Sequence, residues 1–361
     1  MKLLVAVALF ALGALAYLGA HRSASPPAKP QAHQGASVAV KKKPKQVSLV
    51  WAGDLTPGSR YGLPGGNGQE QLGQVRSYLR KADITAVNLE GTLTDGGSDK
   101  CGASPGGNCF SFAAPPRFAK GLAWAGVDVA NLANNHSMDS GQQGLMDTKA
   151  ALEARGIQTA GLPGQTTYMW ARGIKVAILG FAPYQWSGDL RDESLARRRI
   201  KAAKADVVWV VIHAGAEGSD KGSTPKGREI AFGEDRGNTR SFAHMAVKAG
   251  ADLVTGSGPH VVRGMEIYQG KLIAYSTGNF AGWRNFQLGG ALSESAILTV
   301  TVAASGRMIK ANWRSMLLTG PGIPSPDPSA QSAARANQLS KQDFGSRAAL
   351  IHSAGRIGLS R

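Results

Sequence analysis

Residues 207–217 read VVWVVIHAGAE: six apolar residues, a histidine, and then a stretch of small and charged residues. The near-continuous apolar run is rich in valine and predicts a strand that is covered on both faces. His213 and Glu217 follow where such a strand ends. In an open α/β sheet, the loops beyond the carboxyl ends of parallel strands share one edge and form the site. This stretch therefore predicts an α/β fold and the place of its functional residues.

Similar runs recur along the chain and alternate with helical patterns, which is typical of a layered α/β domain. The predicted strands lie at residues 47–52, 84–89, 127–132, 175–181, 207–213, 253–255 and 271–276. The predicted helices lie at residues 70–81, 117–124, 141–155, 192–204 and 240–249. Residues 294–303 and 308–316 alternate apolar and polar residues, which predicts an antiparallel pair at a sheet edge.

The amino-terminal segment indicates export. Residues 1–20 carry Lys2 and then a run of small and apolar residues that ends near Ala14-Leu15-Ala16, a pattern that predicts a cleaved signal peptide. The run is just short of the roughly 20 apolar residues of a membrane span, so retention of residues 3–20 as an inner-membrane anchor stays open. Either outcome places the rest of the chain in the periplasm or cell envelope.

The remaining chain divides by composition into three parts. Residues 21–46 are rich in Pro, Ala and Lys and contain no acid, which predicts a flexible basic linker. Residues 47–318 predict one large domain. Residues 319–361 are proline-rich and then polar, which predicts a tail with at most one helix, near residues 332–352.

The formal net charge is +17, and ten of these charges belong to residues 1–46 and 319–361. A basic segment in the envelope suits an anionic polymer or an anionic membrane surface. A solvated tether explains the same charge without a partner. No RNA- or DNA-binding motif is present, so we expect no nucleic-acid partner.

Cys101 and Cys109 are the two cysteines of the chain, in the loop CGASPGGNC. In an exported protein, two close cysteines most simply form a disulfide. Their spacing is too wide for a zinc knuckle, the competing interpretation.

Polar residues follow six of the predicted strands. Each one alone has a structural explanation: Asp54 as a helix N-cap, an Asn-Asn pair as a turn, His213 as an interior histidine. Their repetition at strand ends favours a shared site, and carboxylates, imidazoles and amides without a thiolate suit Mn, Fe, Zn or Mg. The residues are Asp54, Asn88, Glu90, Asn134, Asn135, His136, Asp139, His213, Glu217, Ser257, His260 and Asn279.

At these residues the sequence resembles the bacterial capsule synthesis family, also called CapA or poly-γ-glutamate biosynthesis proteins. The domain of that family is related to the calcineurin-like metallophosphatases. The matching segments cover roughly residues 47–285: AGD (52–54), VNLEG (87–91), NLANNHSMDSG (131–141), GIQTAG (156–161), VIHAGAE (211–217), GSGPHVVRGMEIYQGK (256–271) and YSTGNF (275–280).

The resemblance implies a four-layer α/β/β/α metallophosphatase-like sandwich with a metal site at the strand ends. His136 is implied to contact substrate or donate a proton, and Asp139 and Glu217 are candidates for orienting imidazoles. Further supporting or substrate-contacting candidates are Asn88, Asn134, Ser257 and Asn279. The implied metal ligands are Asp54, Glu90, Asn135, His213 and His260.

Three departures from the superfamily pattern affect the number of metal ions. Thr56 stands where an Asp-x-His motif has its histidine, Ser257 stands where the last motif has its first histidine, and Glu90 replaces an aspartate. One or two ions therefore stay open.

Two functions also stay open. The family name points to assembly or export of poly-γ-glutamate or other capsule material, together with membrane-bound biosynthesis proteins. The alternative is a periplasmic metal-dependent hydrolase that cleaves a phosphoester or the polymer itself. Both need the same cluster.

Overall fold

The structure is a computed structural model that describes residues 45–59, 61–102, 109–286 and 288–359. The predicted signal peptide, and the predicted linker except Lys45 and Gln46, lie outside these ranges. Within the described ranges, no helix is both long and apolar enough to cross a bilayer.

The elements alternate as the sequence predicts. The helices are α1 Gln69–Leu72, α2 Arg76–Leu79, α3 Ala119–Ala125, α4 Gly141–Glu153, α5 Glu193–Ala202, α6 Thr239–Ala249 and α7 Gln331–Phe344. The strands are β1 Gln46–Thr56, β2 Ile84–Leu89, β3 Thr92–Leu93, β4 Ala113–Ala114, β5 Val129–Asn131, β6 Gln158–Ala160, β7 Thr167–Ala171, β8 Ile174–Phe181, β9 Val207–His213, β10 Ile230–Ala231, β11 Glu234–Asp235, β12 Leu253–Ser257, β13 Met265–Tyr268, β14 Lys271–Ala274, β15 Asn279–Gly282, β16 Glu294–Ala303, β17 Met308–Thr319, β18 Ile323–Pro326, β19 Ala349–Ile351 and β20 Ile357–Leu359.

Two large sheets carry the fold. The larger has eight strands in the order β18-β17-β16-β1-β2-β5-β6, with β15 also pairing β1. The smaller has six strands in the order β13-β14-β12-β9-β8-β7. Strands β1, β2, β5 and β6 are parallel to one another, as are β8, β9, β12 and β14. The predicted α/β class is confirmed.

The core consists of three apolar clusters, one between the two sheets and one between each sheet and the helices that pack on it. Apolar residues of both sheets pack in one cluster, in which Trp51 of β1 meets Trp209 of β9 edge-on, with ring centroids 6.5 Å apart. A second cluster joins the larger sheet to α1–α4, and a third joins the smaller sheet to α5 and α6. Both indole N–H groups are satisfied, by Gly256 O at 3.0 Å and Thr255 Oγ1 at 2.9 Å. Such pairing is what a buried tryptophan requires.

Most predicted elements keep their place, and residues 84–89 and 207–213 are confirmed residue for residue. The helix predicted for residues 70–81 is instead two short helices with Gly73 between them. Gly73 itself keeps helical angles of φ −57° and ψ −45°, whereas Val75, directly before the second helix, has φ −106° and ψ −8°.

The prediction that residues 319–361 form a tail outside the domain is wrong for the described part. β17 continues to Thr319, β18 pairs with it, and α7 packs on the sheets. The helix buries Ser332, Ala336, Ser340 and Phe344, a stripe of mostly small residues at helical spacing. Ser340 Oγ accepts from Met265 N at 2.8 Å. Small polar side chains that pack closely give no hydrophobic signal, so composition alone suggested a tail.

Glu266 of β13 ties the carboxyl-terminal segment to the domain. Its carboxylate is fully buried and accepts from His244 Nε2 at 2.6 Å, Tyr275 Oη at 2.7 Å and Arg347 Nε at 2.7 Å. Burial raises the pKa of Glu266, but these hydrogen bonds outweigh it, so the pKa lies below its ordinary value of 4.5.

We expect Glu266→Gln to lower the free energy of unfolding at neutral pH by about 1.5–3 kcal/mol, the contribution of hydrogen bonds to a charged group. A depressed folded-state pKa stabilises above the unfolded-state pKa, and the stabilisation is lost as pH falls through the folded value. The difference between wild type and variant should therefore shrink below about pH 4.5. Urea unfolding at several pH values measures it, and a difference that is constant down to pH 3 would contradict the assignment.

Candidate metal centre

Three strand ends meet at one point between the sheets. Asp54 lies near the end of β1, Glu90 directly follows β2, and His213 ends β9. One donor atom from each lies within 4.8 Å of the others, and all three residues are buried. Gly53 makes the approach possible, because it has a φ of +93° and a Cβ there would lie 2.6 Å from Thr277 Oγ1.

Asp54 is held as a carboxylate by donors on both oxygens. Asn88 Nδ2 lies 2.8 Å from Oδ1 and Gly258 N lies 3.1 Å from Oδ2. The imidazoles of His213 and His260 approach to 3.3 Å and 3.5 Å. Burial raises the pKa of Asp54, but the hydrogen bonds and charges of the two histidines outweigh it and hold the pKa well below its usual range. Asp54 is therefore charged at any pH near neutral.

Glu90, in contrast, lies where its charged form is disfavoured. Neither carboxylate oxygen has a hydrogen-bond partner among the described residues, although both are buried. The closest imidazole nitrogens are His213 Nε2 and His260 Nε2, each 3.7 Å from Oε1. Burial and the charge of Asp54 raise the pKa of Glu90 well above its ordinary value. An unpaired buried carboxylate is costly unless something positive compensates it, and carboxylate plus imidazole is a donor set that suits a divalent ion. The residues present fit a metal.

The two other predicted ligands join the same cluster. Asn135 Oδ1 lies 2.9 Å from His213 Nε2, and Asn135 Nδ2 donates to Glu217 Oε1 at 3.3 Å. His260 Nδ1 lies 2.9 Å from Asn279 Oδ1, and its Nε2 lies 3.6 Å from Glu217 Oε2. His260 also has a φ of +62°, a strained conformation for a non-glycine residue that is concentrated at functional sites.

Asn88 and its neighbours fix the orientation of the cluster. Asn88 Nδ2 reaches both Asp54 Oδ1 and His213 Nδ1, the latter at 3.0 Å, while its Oδ1 accepts from Asn131 at 2.8 Å and Asn134 at 3.2 Å. Ser257 Oγ lies 3.2 Å from His213 Nδ1. Each predicted supporting residue named so far thus contacts a predicted ligand or contacts Asn88, which itself contacts Asp54 and His213.

Glu217 is paired with Arg236, a buried residue that sequence reasoning missed. Burial raises the pKa of Glu217, but His260 and Arg236 outweigh it and lower the pKa to about 2. Asn131 was missed as well, although it stands at the end of β5 where the strand-end rule would have found it. Arg236 follows the short strand β11 in a loop region and offered no such signal.

His136 and Asp139 form a separate pair beside the cluster. His136 Nδ1 lies 2.8 Å from Asp139 Oδ2, and the imidazole packs on Phe112 with ring centroids 4.4 Å apart. Among the described residues, no hydrogen bond or ion pair joins this imidazole to the five predicted ligands. Burial lowers the pKa of His136 below its ordinary value, which favours the neutral imidazole. The neutral form suits a proton acceptor better than the proton donor that the resemblance implies.

The predicted disulfide between Cys101 and Cys109 is confirmed, with the two Cα atoms 5.7 Å apart. Its loop lies next to the His136–Asp139 pair, since Lys100 forms an ion pair with Asp139 at 2.6 Å.

Comparison with known proteins identifies the family. Residues 48–282, which contain every predicted site residue, match the family described as "Bacterial capsule synthesis protein PGA_cap". The chain belongs to this family. The predicted resemblance to capsule synthesis proteins is thereby confirmed.

Several similar proteins have names that mention capsule, PGA or polyglutamine synthesis. "Capsule biosynthesis protein CapA" of Bacillus anthracis is 28% identical over 272 residues, which cover 66% of this chain and 61% of that protein. "PGA biosynthesis protein CapA" of Bacillus subtilis is 31% identical over 177 residues, 43% of each chain. A "probable polyglutamine synthesis accessory protein" of Mycobacterium tuberculosis is 30% identical over 267 residues, 63% of this chain and 64% of that one. The chain thus spans less than two thirds of each of these relatives.

Two solved structures align with the chain at TM-scores below 0.5. A hypothetical protein from Thermus thermophilus aligns with a TM-score of 0.47 and 16% identity, covering 74% of this chain and 98% of that one. A 5'-nucleotidase precursor from the same organism aligns with a TM-score of 0.40 and 16% identity, covering 81% of this chain and 58% of that one.

Proposed function

We propose that the chain takes part in the assembly or export of an anionic capsule polymer of the poly-γ-glutamate type, and that a divalent-metal centre serves this role. The observation that carries the proposal is Glu90, a buried carboxylate without a hydrogen-bond partner among the described residues, facing Asp54 and His213. The names of the relatives, which mention capsule, PGA and polyglutamine synthesis, support the polymer class.

The proposed ligands are Asp54, Glu90 and His213, with Asn135 and His260 completing the set. When bound, a Mn, Fe, Zn or Mg ion supplies Lewis acidity to a phosphoryl or acyl oxygen. Asn88 and Gly258 N orient Asp54, and Asn279 orients His260. Thr56 Oγ1 accepts from Asn285 Nδ2 at 2.6 Å, so the position that would carry a further histidine is engaged elsewhere. This favours one ion over two.

A basic groove supports contact with an anionic chain. It has a volume of about 470 Å³ and lies on the outer side of β16 and β17, with Lys81, Lys310, Arg314 and Arg356 among its lining residues. Within the described ranges, none of these four cations forms an ion pair with a carboxylate and no acidic residue lines the groove. A polycarboxylate is complementary to such a surface.

The proposal includes location and architecture. Residues 1–20 would direct the chain to the envelope, as a cleaved signal or as an inner-membrane anchor, and the linker at 21–46 would contact anionic lipid, polymer or membrane-bound biosynthesis proteins. The three apolar clusters support a four-layer α/β/β/α arrangement of the metallophosphatase-like type.

The metal is tested by loading the purified full-length protein. Elemental analysis after dialysis should find about one divalent transition ion per chain. His213→Ala and Asp54→Ala should each lower occupancy and leave the fold intact. His244→Ala, which removes a histidine stacked on Tyr268 away from the cluster, is the matched control and should keep the metal. Full occupancy in the Asp54→Ala/His213→Ala double variant would show that the ligands are wrong.

The second candidate function is a periplasmic metal-dependent hydrolase, favoured by the buried His136–Asp139 pair beside the ligands. His136→Gln separates it from polymer assembly. If the pair is catalytic, turnover of a phosphodiester or γ-glutamyl polymer should fall at least about tenfold, since general acid–base catalysis typically contributes about 10²–10⁴-fold. Melting temperature and metal content should stay near those of the wild type. If the metal-loaded wild type turns over neither substrate, assembly is the better account.

A further inference from the structure

We infer that the loop closed by the Cys101–Cys109 disulfide positions His136. The positioning residues are Lys100, on the first arm, which leads into Cys101, and Phe112, on the second arm, which leads out of Cys109. This rests on the proposed function only in that it takes His136 to be a working side chain. The positioning itself is carried by contacts that need no metal and no substrate.

The first arm reaches the pair through Lys100, which directly precedes Cys101. Lys100 N donates to Asp139 O at 2.9 Å, so backbone is tied to backbone. Lys100 Nζ lies 2.6 Å from Asp139 Oδ1 and 3.3 Å from His136 Nδ1. Lys100 therefore contacts Oδ1 of Asp139, whereas His136 contacts Oδ2.

The second arm reaches the same pair through Phe112, three residues after Cys109. Phe112 N donates to Asp139 Oδ2 at 2.6 Å, and its ring packs on the His136 imidazole. Phe112 O accepts from Thr92 N at 2.9 Å, which ties this arm to β3. Both arms thus contact the same two side chains, the carboxylate of Asp139 and the imidazole of His136.

These contacts select the tautomer of His136. A carboxylate can only accept, so the nitrogen that bonds Asp139 Oδ2, Nδ1, carries the proton. Nε2 is then the nitrogen left for substrate. Asp139 itself is fully buried, which leaves its orientation to the two arms and to the turn that joins it to His136.

The disulfide is the covalent link between the arms; among the described residues, their other links are the contacts with His136 and Asp139 and the pairing of β3 with β4. Cys101 and Cys109 are eight positions apart, and the bond restricts the separation of Lys100 from Phe112. Without it, ordering both arms at once carries the conformational entropy of an open loop. The prediction is that His136 loses its protection when the bond is absent, while the rest of the domain does not.

The test uses diethyl pyrocarbonate, which acylates accessible neutral imidazoles, on the full chain with chelator present throughout. Modification of each histidine is followed by mass spectrometry. In the wild type, His136 should react at least about tenfold more slowly than the exposed His352, as expected for a group that reacts only after local opening. In Cys101→Ser/Cys109→Ser, the His136 rate should rise about fivefold or more while the His352 rate is unchanged.

Matched single variants separate positioning from general loosening. Phe112→Leu and Lys100→Met should also raise the His136 rate. Phe110→Leu, on the same arm but exposed, and Lys120→Met, an exposed lysine of α3, should not. If Cys101→Ser/Cys109→Ser or Phe112→Leu does not fold, Lys100→Met decides, because that side chain is 34% exposed and tolerant of change. Unchanged protection of His136 in the folded variants would overturn the inference. Failure of the metal proposal would leave these rates as they are, so the two results are distinguishable.

Discussion

Glu90→Gln is expected to make the metal-free protein more stable and to remove its stabilisation by metal. The substitution keeps the shape of the side chain and removes a buried carboxyl group that has no hydrogen-bond partner in the described part of the chain and whose charged form is disfavoured by burial and by Asp54. Burial penalises the charged form of a carboxyl group more than a neutral amide, so the free energy of unfolding should rise in chelator, by up to about 1–3 kcal/mol. With metal at 100 times its dissociation constant, the wild type should gain about 2.7 kcal/mol and the variant little.

The measurement is urea unfolding of both proteins, with chelator and with a saturating divalent ion. The signature is a difference in response: the variant is the more stable protein without metal, and the saturating ion stabilises the wild type but not the variant. If Glu90→Gln is destabilised equally in both conditions, the carboxylate has a structural partner and is not a ligand.

Glu229→Gln is expected to lower the free energy of unfolding, the opposite of Glu90→Gln, and by a larger amount. Glu229 is also buried, but its two oxygens accept from Arg263 Nη1 at 2.9 Å and Nη2 at 2.6 Å, and Arg263 is fully buried. Removing one partner of a buried ion pair leaves the other charge uncompensated and typically costs about 3–5 kcal/mol, so we expect a loss of that size with or without metal.

The pair Glu229–Arg263 also holds the loop that leads from His213 to Glu217, since Ala216 N donates to Glu229 Oε2 at 3.0 Å. Metal affinity should therefore fall modestly in Glu229→Gln as well. Glu229→Asp, which keeps the charge, serves as the control and should lose less stability than Glu229→Gln. Equal losses in the two Glu229 variants would show that side-chain length, not charge, decides.

The sequence predicted the structure well where burial of a regular strand or helix fixes the pattern of apolar residues. A strand buried on both faces, such as 207–213, must be apolar throughout, and its end is marked by the first polar residue. The five predicted ligands follow from that rule and from the family resemblance, and the structure brings each of them within 3.7 Å of at least one other. Their role as ligands stays a prediction.

The sequence was uninformative where neutral or compensated side chains do the packing. Helix α7 packs through Ser332, Ala336 and Ser340, so its segment had the composition of a tail. Arg236 is buried because Glu217 compensates it, and a charged residue read alone is expected on the surface.

By itself, then, the sequence determined the α/β class, the strand ends that carry polar residues, the cysteine pair and the family. Each of these depends on local pattern or on short motifs. Only the tertiary structure decided that Glu90 lacks a hydrogen-bond partner among the described residues while Asp54 has donors on both oxygens, although both are acids beside neighbouring strands. It also decided that the arms of the disulfide loop end on His136 and Asp139. Which partner a buried charge meets depends on residues far apart in the chain, as in the contact of Asp54 with Gly258, and local pattern carries no record of such pairing.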